Sequence, residues 1–149
     1  VAEQVPEKNI ILNDGYCPIH EVMPVDSLKA LRAEHTNAPV LTHPECRQEV
    51  LDLSDYIGST SGIIDYAKES DAKEFIICTE VGVLGQLRRD NPDKQFYFPT
   101  PCPTCKDMKL NTLETVLSVL EKEDREVFVS DDLRANSLLP LDRMLEMAK

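Results

Sequence analysis

Short apolar runs alternate with helical patterns along this 149-residue chain, and this rhythm restricts the possible folds more than any other feature. The apolar runs predict strands at 9–12, 38–42, 55–58, 74–79, 95–98 and 126–129. Between them, residues at helical spacing predict helices at 24–34, 47–53, 61–68, 83–89, 111–121 and 138–147. Strands that alternate with helices form parallel sheets covered by helices, so the sequence predicts an α/β fold.

Polar and reactive residues follow almost every predicted strand. In chain order they are Asn13-Asp14-Gly15-Tyr16-Cys17, His43-Pro44-Glu45, Ser59-Thr60, Thr79-Glu80, and Cys102 with Cys105. Functional residues of parallel sheets lie just past the C-terminal ends of the strands. The sequence therefore predicts one functional site at one edge of the sheet.

The composition excludes several classes of partner. The formal net charge is -11 and no cluster of Lys and Arg interrupts it, so neither nucleic acid nor an anionic membrane is an expected partner. The apolar runs are only a few residues long, too short to span a bilayer. No secretory signal is visible, and we expect a cytoplasmic protein.

The chain has five cysteines, and their odd number argues against a disulfide framework. Cys102-Pro103-Thr104-Cys105 is a Cys-x-x-Cys motif that fits a redox dithiol, half of a zinc site or part of an iron–sulfur site. Cys17 and His20 form a Cys-x-x-His motif that could complete a zinc site. Spacing alone favours zinc and iron–sulfur equally.

The remaining candidate residues each have a structural interpretation beside the functional one. His43-Pro44-Glu45 is either a solvated turn or an acid–base pair, and the 58–62 segment is either a helix N-cap or an anion-binding loop. We expect Cys78 to be a core residue inside its strand, and Cys46 to be structural as well. We expect His35 to be solvated at the end of its helix.

Taken together, five segments of the chain resemble the quinolinate synthase family in order and spacing, and they span nearly the whole chain. The segments are Gly15-Tyr16-Cys17-Pro18-Ile19-His20, Leu41-Thr42-His43-Pro44-Glu45-Cys46, Asp55-Tyr56-Ile57-Gly58-Ser59-Thr60, Cys78-Thr79-Glu80-Val81-Gly82 and Cys105-Lys106-Asp107-Met108-Lys109-Leu110-Asn111-Thr112-Leu113. No single segment is decisive, but five in register are highly specific.

The resemblance implies a fold, a reaction and a cofactor. The family has three similar three-layer αβα domains with short parallel sheets around a pseudo-threefold axis. It condenses iminoaspartate with dihydroxyacetone phosphate to give quinolinate in NAD biosynthesis, as a transferase. Each domain supplies one cysteine to a 4Fe–4S cluster, whose remaining iron binds the substrate. In this chain, Cys17 matches the second cluster cysteine and Cys105 the third.

The resemblance also assigns roles in substrate binding and catalysis. Substrate-binding roles fall on His20, His43, Pro44, Glu45 and Thr60. Of these, Glu45 and His43 match the catalytic positions, with Glu45 as the acid–base group. Some family members carry an extra cysteine where this chain has Cys102, so Cys102 could form a disulfide with Cys105 or act as a spare ligand.

The family is about twice as long as this chain, which begins at Val1 rather than Met. We therefore expect a fragment that lacks the N-terminal half, including the first cluster cysteine, and that is inactive by itself. Residues 1–23 would complete the preceding domain, 24–101 would form an αβα domain, and 102–149 would hold the cluster loop, a helix, a strand and the last helix.

Two alternatives differ from the family interpretation in their metal content. A zinc-binding αβ domain without this activity would use Cys17, His20, Cys102 and Cys105 as its four ligands. A non-enzymatic interaction domain would bind no metal and would tolerate the loss of Cys17 and Cys105.

Overall fold

The structure is a computed structural model that describes residues 2, 5–123 and 125–149. It divides into two compact units, Val1–Lys106 and Asp107–Lys149, and each unit is described by itself.

The first unit follows the predicted alternation of strands and helices from residue 25 onwards. Its elements in chain order are α1 (Pro18–Glu21), α2 (Val25–Glu34), β1 (Val40–Thr42), α3 (Gln48–Leu51), β2 (Tyr56–Ile57), α4 (Thr60–Glu69), β3 (Glu74–Cys78), α5 (Leu84–Asp90) and β4 (Gln95–Tyr97). A 3₁₀ turn at Val81–Val83 leads into α5. The predictions for the elements α2 to β4 are confirmed, with ends that differ by a few residues.

The four strands form one parallel sheet in the order β2-β1-β3-β4. Thr42 of β1 is paired with Ile57 of β2 and with Cys78 of β3, and Phe75 of β3 is paired with Phe96 of β4. The two central strands, β1 and β3, are thus adjacent and end level with each other. This register confirms the predicted parallel sheet.

Each face of the sheet is covered by its own pair of helices. On one face, Leu41, Phe75 and Ile77 pack with buried residues of α4 and α5 such as Ile63 and Leu87. On the other face, the alternate strand residues Val40, Ile76 and Cys78 pack with residues of α2 and α3, including Leu28 and Val50. Because side chains alternate along a strand, one continuous apolar run such as Phe75-Ile76-Ile77-Cys78 supplies both cores. The result is the predicted three-layer αβα arrangement.

The first predicted strand, at 9–12, is wrong. These residues adopt no regular structure, and the side chains of Ile11 and Leu12 are 90% and 74% exposed. A strand is stable only when a neighbouring strand satisfies its backbone, and none of the described residues pairs with this segment. Conversely, α1 went unpredicted because its single turn, which begins at Pro18, is too short to show a hydrophobic period.

The second unit contains two helices, α6 (Leu113–Lys122) and α7 (Asp131–Met147), preceded by a 3₁₀ turn at Met108–Leu110. The predicted strand at 126–129 is wrong, since this segment is irregular and Phe128 is 89% exposed. The predicted helix at 138–147 is correct but begins earlier, because the Ser130 hydroxyl accepts the backbone N–H of Leu133 and caps α7. None of the helices in the described ranges is long and apolar enough to cross a membrane.

Candidate functional site

The candidate site lies where the two central strands end. Directly after β1, the backbone N–H of His43 donates to the carbonyl oxygen of Cys78, at the end of β3, over 3.1 Å. The backbone N–H of Cys46 then donates back to the carbonyl oxygen of His43 over 3.0 Å, closing a turn through Pro44. This turn holds His43 and Glu45 at the C-terminal edge of the sheet, as the sequence predicted.

The short helix α1 brings Cys17 and His20 to the same edge. Cys17 is the N-cap residue of α1, and its carbonyl oxygen accepts the backbone N–H of Glu21 over 2.9 Å. His20 is buried, and its Nε2 lies 3.0 Å from the hydroxyl oxygen of Thr79, the residue that follows β3. This hydrogen bond fixes α1 to the end of the central strand.

His20 faces a carboxylate and a second imidazole. Its Nδ1 lies 3.3 Å from Oε2 of Glu45, and its ring stacks on that of His43 with 4.4 Å between centroids. The contact with Glu45 lacks hydrogen-bond geometry, so Nδ1 is a buried nitrogen without a hydrogen-bond partner among the described residues. Burial lowers the pKa of His20, and the nearby His43 lowers it further, against an opposing effect of Glu45. His20 is therefore neutral at pH 7.

His43 is oriented by its own turn. The backbone N–H of Glu45 donates to Nδ1 of His43 over 3.3 Å, and Oε2 of Glu45 lies 3.5 Å from the same nitrogen. Because a backbone N–H can only donate, Nδ1 must be the acceptor, and a neutral His43 carries its proton on Nε2. The ring thus presents an N–H donor beside a carboxylate that is 53% exposed.

Three of these residues bring potential metal ligands close together. The sulfur of Cys17, a ring nitrogen of His20 and a carboxylate oxygen of Glu45 all lie within 4.8 Å of one another. Cys17 and His20 belong to the zinc set that the sequence left open. Within the described part of the chain, the third member of the group is Glu45, rather than Cys102 or Cys105.

The segment that carries Cys105 is held against the end of β3 by Glu80. One carboxylate oxygen of Glu80 accepts the backbone N–H of Cys105 over 3.1 Å, and the other accepts that of Gly82 over 2.6 Å. The backbone N–H of Val81 also donates to the carbonyl oxygen of Pro103 over 2.8 Å. The sequence indicated Glu80 only by its position after a strand, and this anchoring role was not predicted.

The five cysteines are free thiols in the described part of the chain, and they differ in how deeply they are buried. Cys46 and Cys78 are buried, and burial raises the pKa of each to about 12, which confirms that Cys78 is a core residue and supports the structural role expected for Cys46. Cys17 and Cys105 are half-buried and Cys102 is exposed. Cys102 lies beside a cavity of about 130 Å³ between α1 and residues 101–104.

The 58–62 segment forms a helix N-cap. The Ser59 hydroxyl accepts the backbone N–H of Gly62 over 3.2 Å, and Thr60 is the exposed first residue of α4. A Cβ atom on Gly58 would overlap the ring of Tyr56, so glycine is required for the ring to fold back over this loop. In the described part of the chain, no hydrogen bond or ion pair joins the Thr60 side chain to Glu45.

The fold and this edge define a parallel α/β protein whose candidate site combines thiol, imidazole and carboxylate groups. Residues 1–146 match the NadA family, described as quinolinate synthetase A protein. The chain belongs to this family.

Curated relatives support the same assignment. The chain is 46% identical over 149 residues to a quinolinate synthase of Clostridioides difficile and 46% identical over 147 residues to one of Caldicellulosiruptor bescii. It is 45% identical over 148 residues to a quinolinate synthase of Fusobacterium nucleatum. These matches cover 99–100% of the chain but only 48–49% of each relative, so the chain spans about half the length of the relatives it matches.

Proposed function

We propose that this chain supplies half of the active site of a quinolinate synthase, which condenses iminoaspartate with dihydroxyacetone phosphate to quinolinate for NAD biosynthesis. The family match over residues 1–146 is the observation that carries this proposal. The convergence of Cys17, His20, His43 and Glu45 at one sheet edge supports it, because parallel sheets hold their substrates there. The other half of the site would come from a further segment of the enzyme.

The donor chemistry of this edge fits the 4Fe–4S cluster that the family resemblance implies. Cluster ligands must be thiolates, and thiols buried in an apolar core resist ionisation, as Cys46 and Cys78 do here. We propose that the half-buried Cys17 and Cys105 are ligands, with Glu80 fixing the backbone of Cys105. When bound, the cluster would supply a Lewis-acidic iron that polarises a substrate oxygen.

We propose that the imidazole and carboxylate groups handle the substrates. His43 would donate from Nε2 to a substrate carboxylate or leaving hydroxyl, since its Nδ1 is occupied by the backbone N–H of Glu45. The exposed Glu45 carboxylate would act as the acid–base group that moves protons during condensation and loss of water. His20, Pro44 and the exposed Thr60 would line the substrate cavity.

A chimera tests this proposal directly. In it, the 149 residues replace the matching segment of the Clostridioides difficile relative, and the product is reconstituted with iron and sulfide without oxygen. We expect the chimera to form quinolinate and the 149-residue chain alone to form none. Quinolinate production by the chain alone would refute the proposal that the chain supplies only half of the active site. A folded, cluster-loaded chimera that makes no quinolinate would refute the proposed activity.

Two matched substitutions assign the acid–base role within the chimera. Glu45→Gln keeps the size of the side chain and should lower kcat by at least about 100-fold, the smallest loss typical of a positioned acid–base group. Glu49→Gln, which changes an exposed carboxylate in the next helix, should leave kcat unchanged. Equal rates for the two variants would exclude Glu45 from proton transfer.

A further inference from the structure

The ring of Tyr56 lies in a slot that two glycines leave open. Tyr56 belongs to β2, Gly58 follows that strand directly, and Gly62 lies in the first turn of α4. A Cβ atom on Gly58 would lie 2.6 Å from two carbons of the Tyr56 ring and would overlap its hydroxyl oxygen. A Cβ atom on Gly62 would also overlap the hydroxyl oxygen, but it would lie at an ordinary contact distance of 3.5 Å from Cζ. A side chain at either position would therefore displace the ring.

A second tyrosine holds the ring in this slot. Tyr66 lies one turn further along α4 than Gly62, and its ring is tilted against that of Tyr56 with 4.8 Å between centroids. Both rings pack against the core that α4 and α5 cover. The Tyr56 ring thus lies against the chain on both sides of Ser59 and Thr60, before α4 begins and within its first turns.

The 58–62 loop is joined to the turn that carries His43. The backbone N–H of Gly58 donates to the carbonyl oxygen of Thr42 over 3.0 Å, and His43 is the next residue after Thr42. Two residues beyond Gly58, Thr60 begins α4, with Ser59 as its N-cap. Thr60 is exposed, so packing of its own side chain does not fix its position. Its position relative to the sheet edge depends on the backbone that the Tyr56 ring lies against.

We propose that Tyr56 is a positioning residue of the active site, whose ring between Gly58 and Gly62 fixes the loop that carries Thr60. This inference rests on the proposed function, in which Thr60 lines the substrate cavity. A binding group that is held in place before the substrate arrives does not lose conformational freedom on binding, so the substrate binds more tightly. Tyr56 acts through Thr60 and does not itself contact the substrate.

Alanine substitutions of the glycines test whether the ring occupies the slot, without an assay of activity. Alanine is favoured over glycine within a helix, so Gly62→Ala should raise the urea midpoint of unfolding unless the new methyl group meets the ring. We expect a lower midpoint in the wild-type background and a higher one in a Tyr56→Phe background, where the overlapping oxygen is absent. Gly58→Ala, which also meets two ring carbons, should lower the midpoint in both backgrounds. Gly85→Ala in α5 is the matched control and should raise it in both, because its Cβ would meet nothing within 4 Å.

The chimera tests whether the ring acts on substrate binding. Gly62→Ala should raise the KM of one of the two anionic substrates roughly tenfold, the loss of one hydrogen bond to a charged group, with little change in kcat. Adding Tyr56→Phe to Gly62→Ala should restore this KM, and Gly85→Ala should leave it unchanged. Thr60→Val should raise the same KM, and Gly62→Ala should then add little to it, because both substitutions remove the same contact.

Two results in the chimera would overturn the inference. If Gly62→Ala is destabilised but keeps its KM, the ring supports only the fold. If Gly62→Ala and Thr60→Val raise KM additively, the ring does not act through Thr60. A failure of the proposed function is a separate result, in which the chimera without substitutions makes no quinolinate. The unfolding measurements do not depend on that assay, and an equal rise of the midpoint with Gly62→Ala in both backgrounds overturns the inference by itself.

Discussion

Two histidine–glutamate pairs lie at different ends of the same sheet, and only one of them forms a hydrogen bond between the two side chains. Near the starts of β1 and β3, Nδ1 of His35 lies 3.2 Å from Oε2 of Glu74 and forms a hydrogen bond. At the C-terminal edge, Nδ1 of His20 lies 3.3 Å from Oε2 of Glu45 and forms none. The two Nδ1–Oε2 distances are thus almost equal, but only the His35–Glu74 pair is completed by a hydrogen bond. The His20–Glu45 pair, which has none, is called the open pair.

The surroundings of the two rings explain the difference. His35 stacks on Tyr97 with 3.8 Å between centroids, and its side chain is 17% exposed, so the prediction of a solvated His35 is wrong. The ring of Tyr97 and the carboxylate of Glu74 satisfy it within the fold. His20 instead stacks on a second imidazole, and the Oε2 atom of Glu45 that it faces also lies 3.5 Å from Nδ1 of His43. The His35–Glu74 pair is therefore completed within the fold, whereas Nδ1 of His20 has no hydrogen-bond partner among the described residues.

The sequence predicts the sheet well because burial on both faces leaves a strong signal. The run Phe75-Ile76-Ile77-Cys78 forms the central strand β3, with all four side chains fully buried. The runs at 9–12 and 126–129 look similar in sequence but are exposed and irregular. Apolar character alone does not make a strand, because the backbone also needs a neighbour to pair with, and a single sequence does not show which neighbours are present.

The site was predicted in its position but not in its contacts. The rule that reactive groups follow parallel strands correctly placed His43 and Glu45 at the sheet edge. The contact between His20 and Glu45 depends on α1, a four-residue helix with no sequence period, and on the Thr79 hydroxyl. Such a contact joins residues distant in sequence through packing, which residue spacing does not encode.

The larger expected effect that separates the two pairs concerns the stability of the chain. Glu74→Gln should lower the free energy of unfolding by about 0.5–1.5 kcal/mol, toward the lower value because Glu74 is partly exposed. Glu45→Gln should change it by less than about 0.5 kcal/mol, because the carboxylate makes no hydrogen bond to His20. Urea unfolding gives both values. A loss with Glu45→Gln as large as that with Glu74→Gln would mean that the open pair already contributes to folding.

The smallest expected effect is a pH dependence carried by His20. Burial and His43 hold the pKa of His20 below its ordinary value of 6.5, while Glu45 and Glu80 act in the opposite direction. The unfolded chain therefore takes up a proton on His20 at a higher pH than the folded chain does. Above pH 6.5 this difference costs nothing, and as the pH falls from 6.5 toward the lower folded-state pKa the folded state loses stability.

His20→Gln isolates this contribution, since glutamine can still bond to Thr79 but does not titrate. Urea unfolding of the wild-type chain and of the variant should show the wild type losing stability relative to His20→Gln as the pH falls from 7.5 to about 5.5. Groups that titrate equally in both proteins cancel in this difference, which leaves His20 and its coupling to His43, Glu45 and Glu80. A difference that stays constant, or that grows in favour of the wild type, would show that a proton is accepted at Nδ1 without cost. A protonated His20 would then form a hydrogen bond to Glu45, as His35 does to Glu74. The distinction between the two ends of the sheet would disappear.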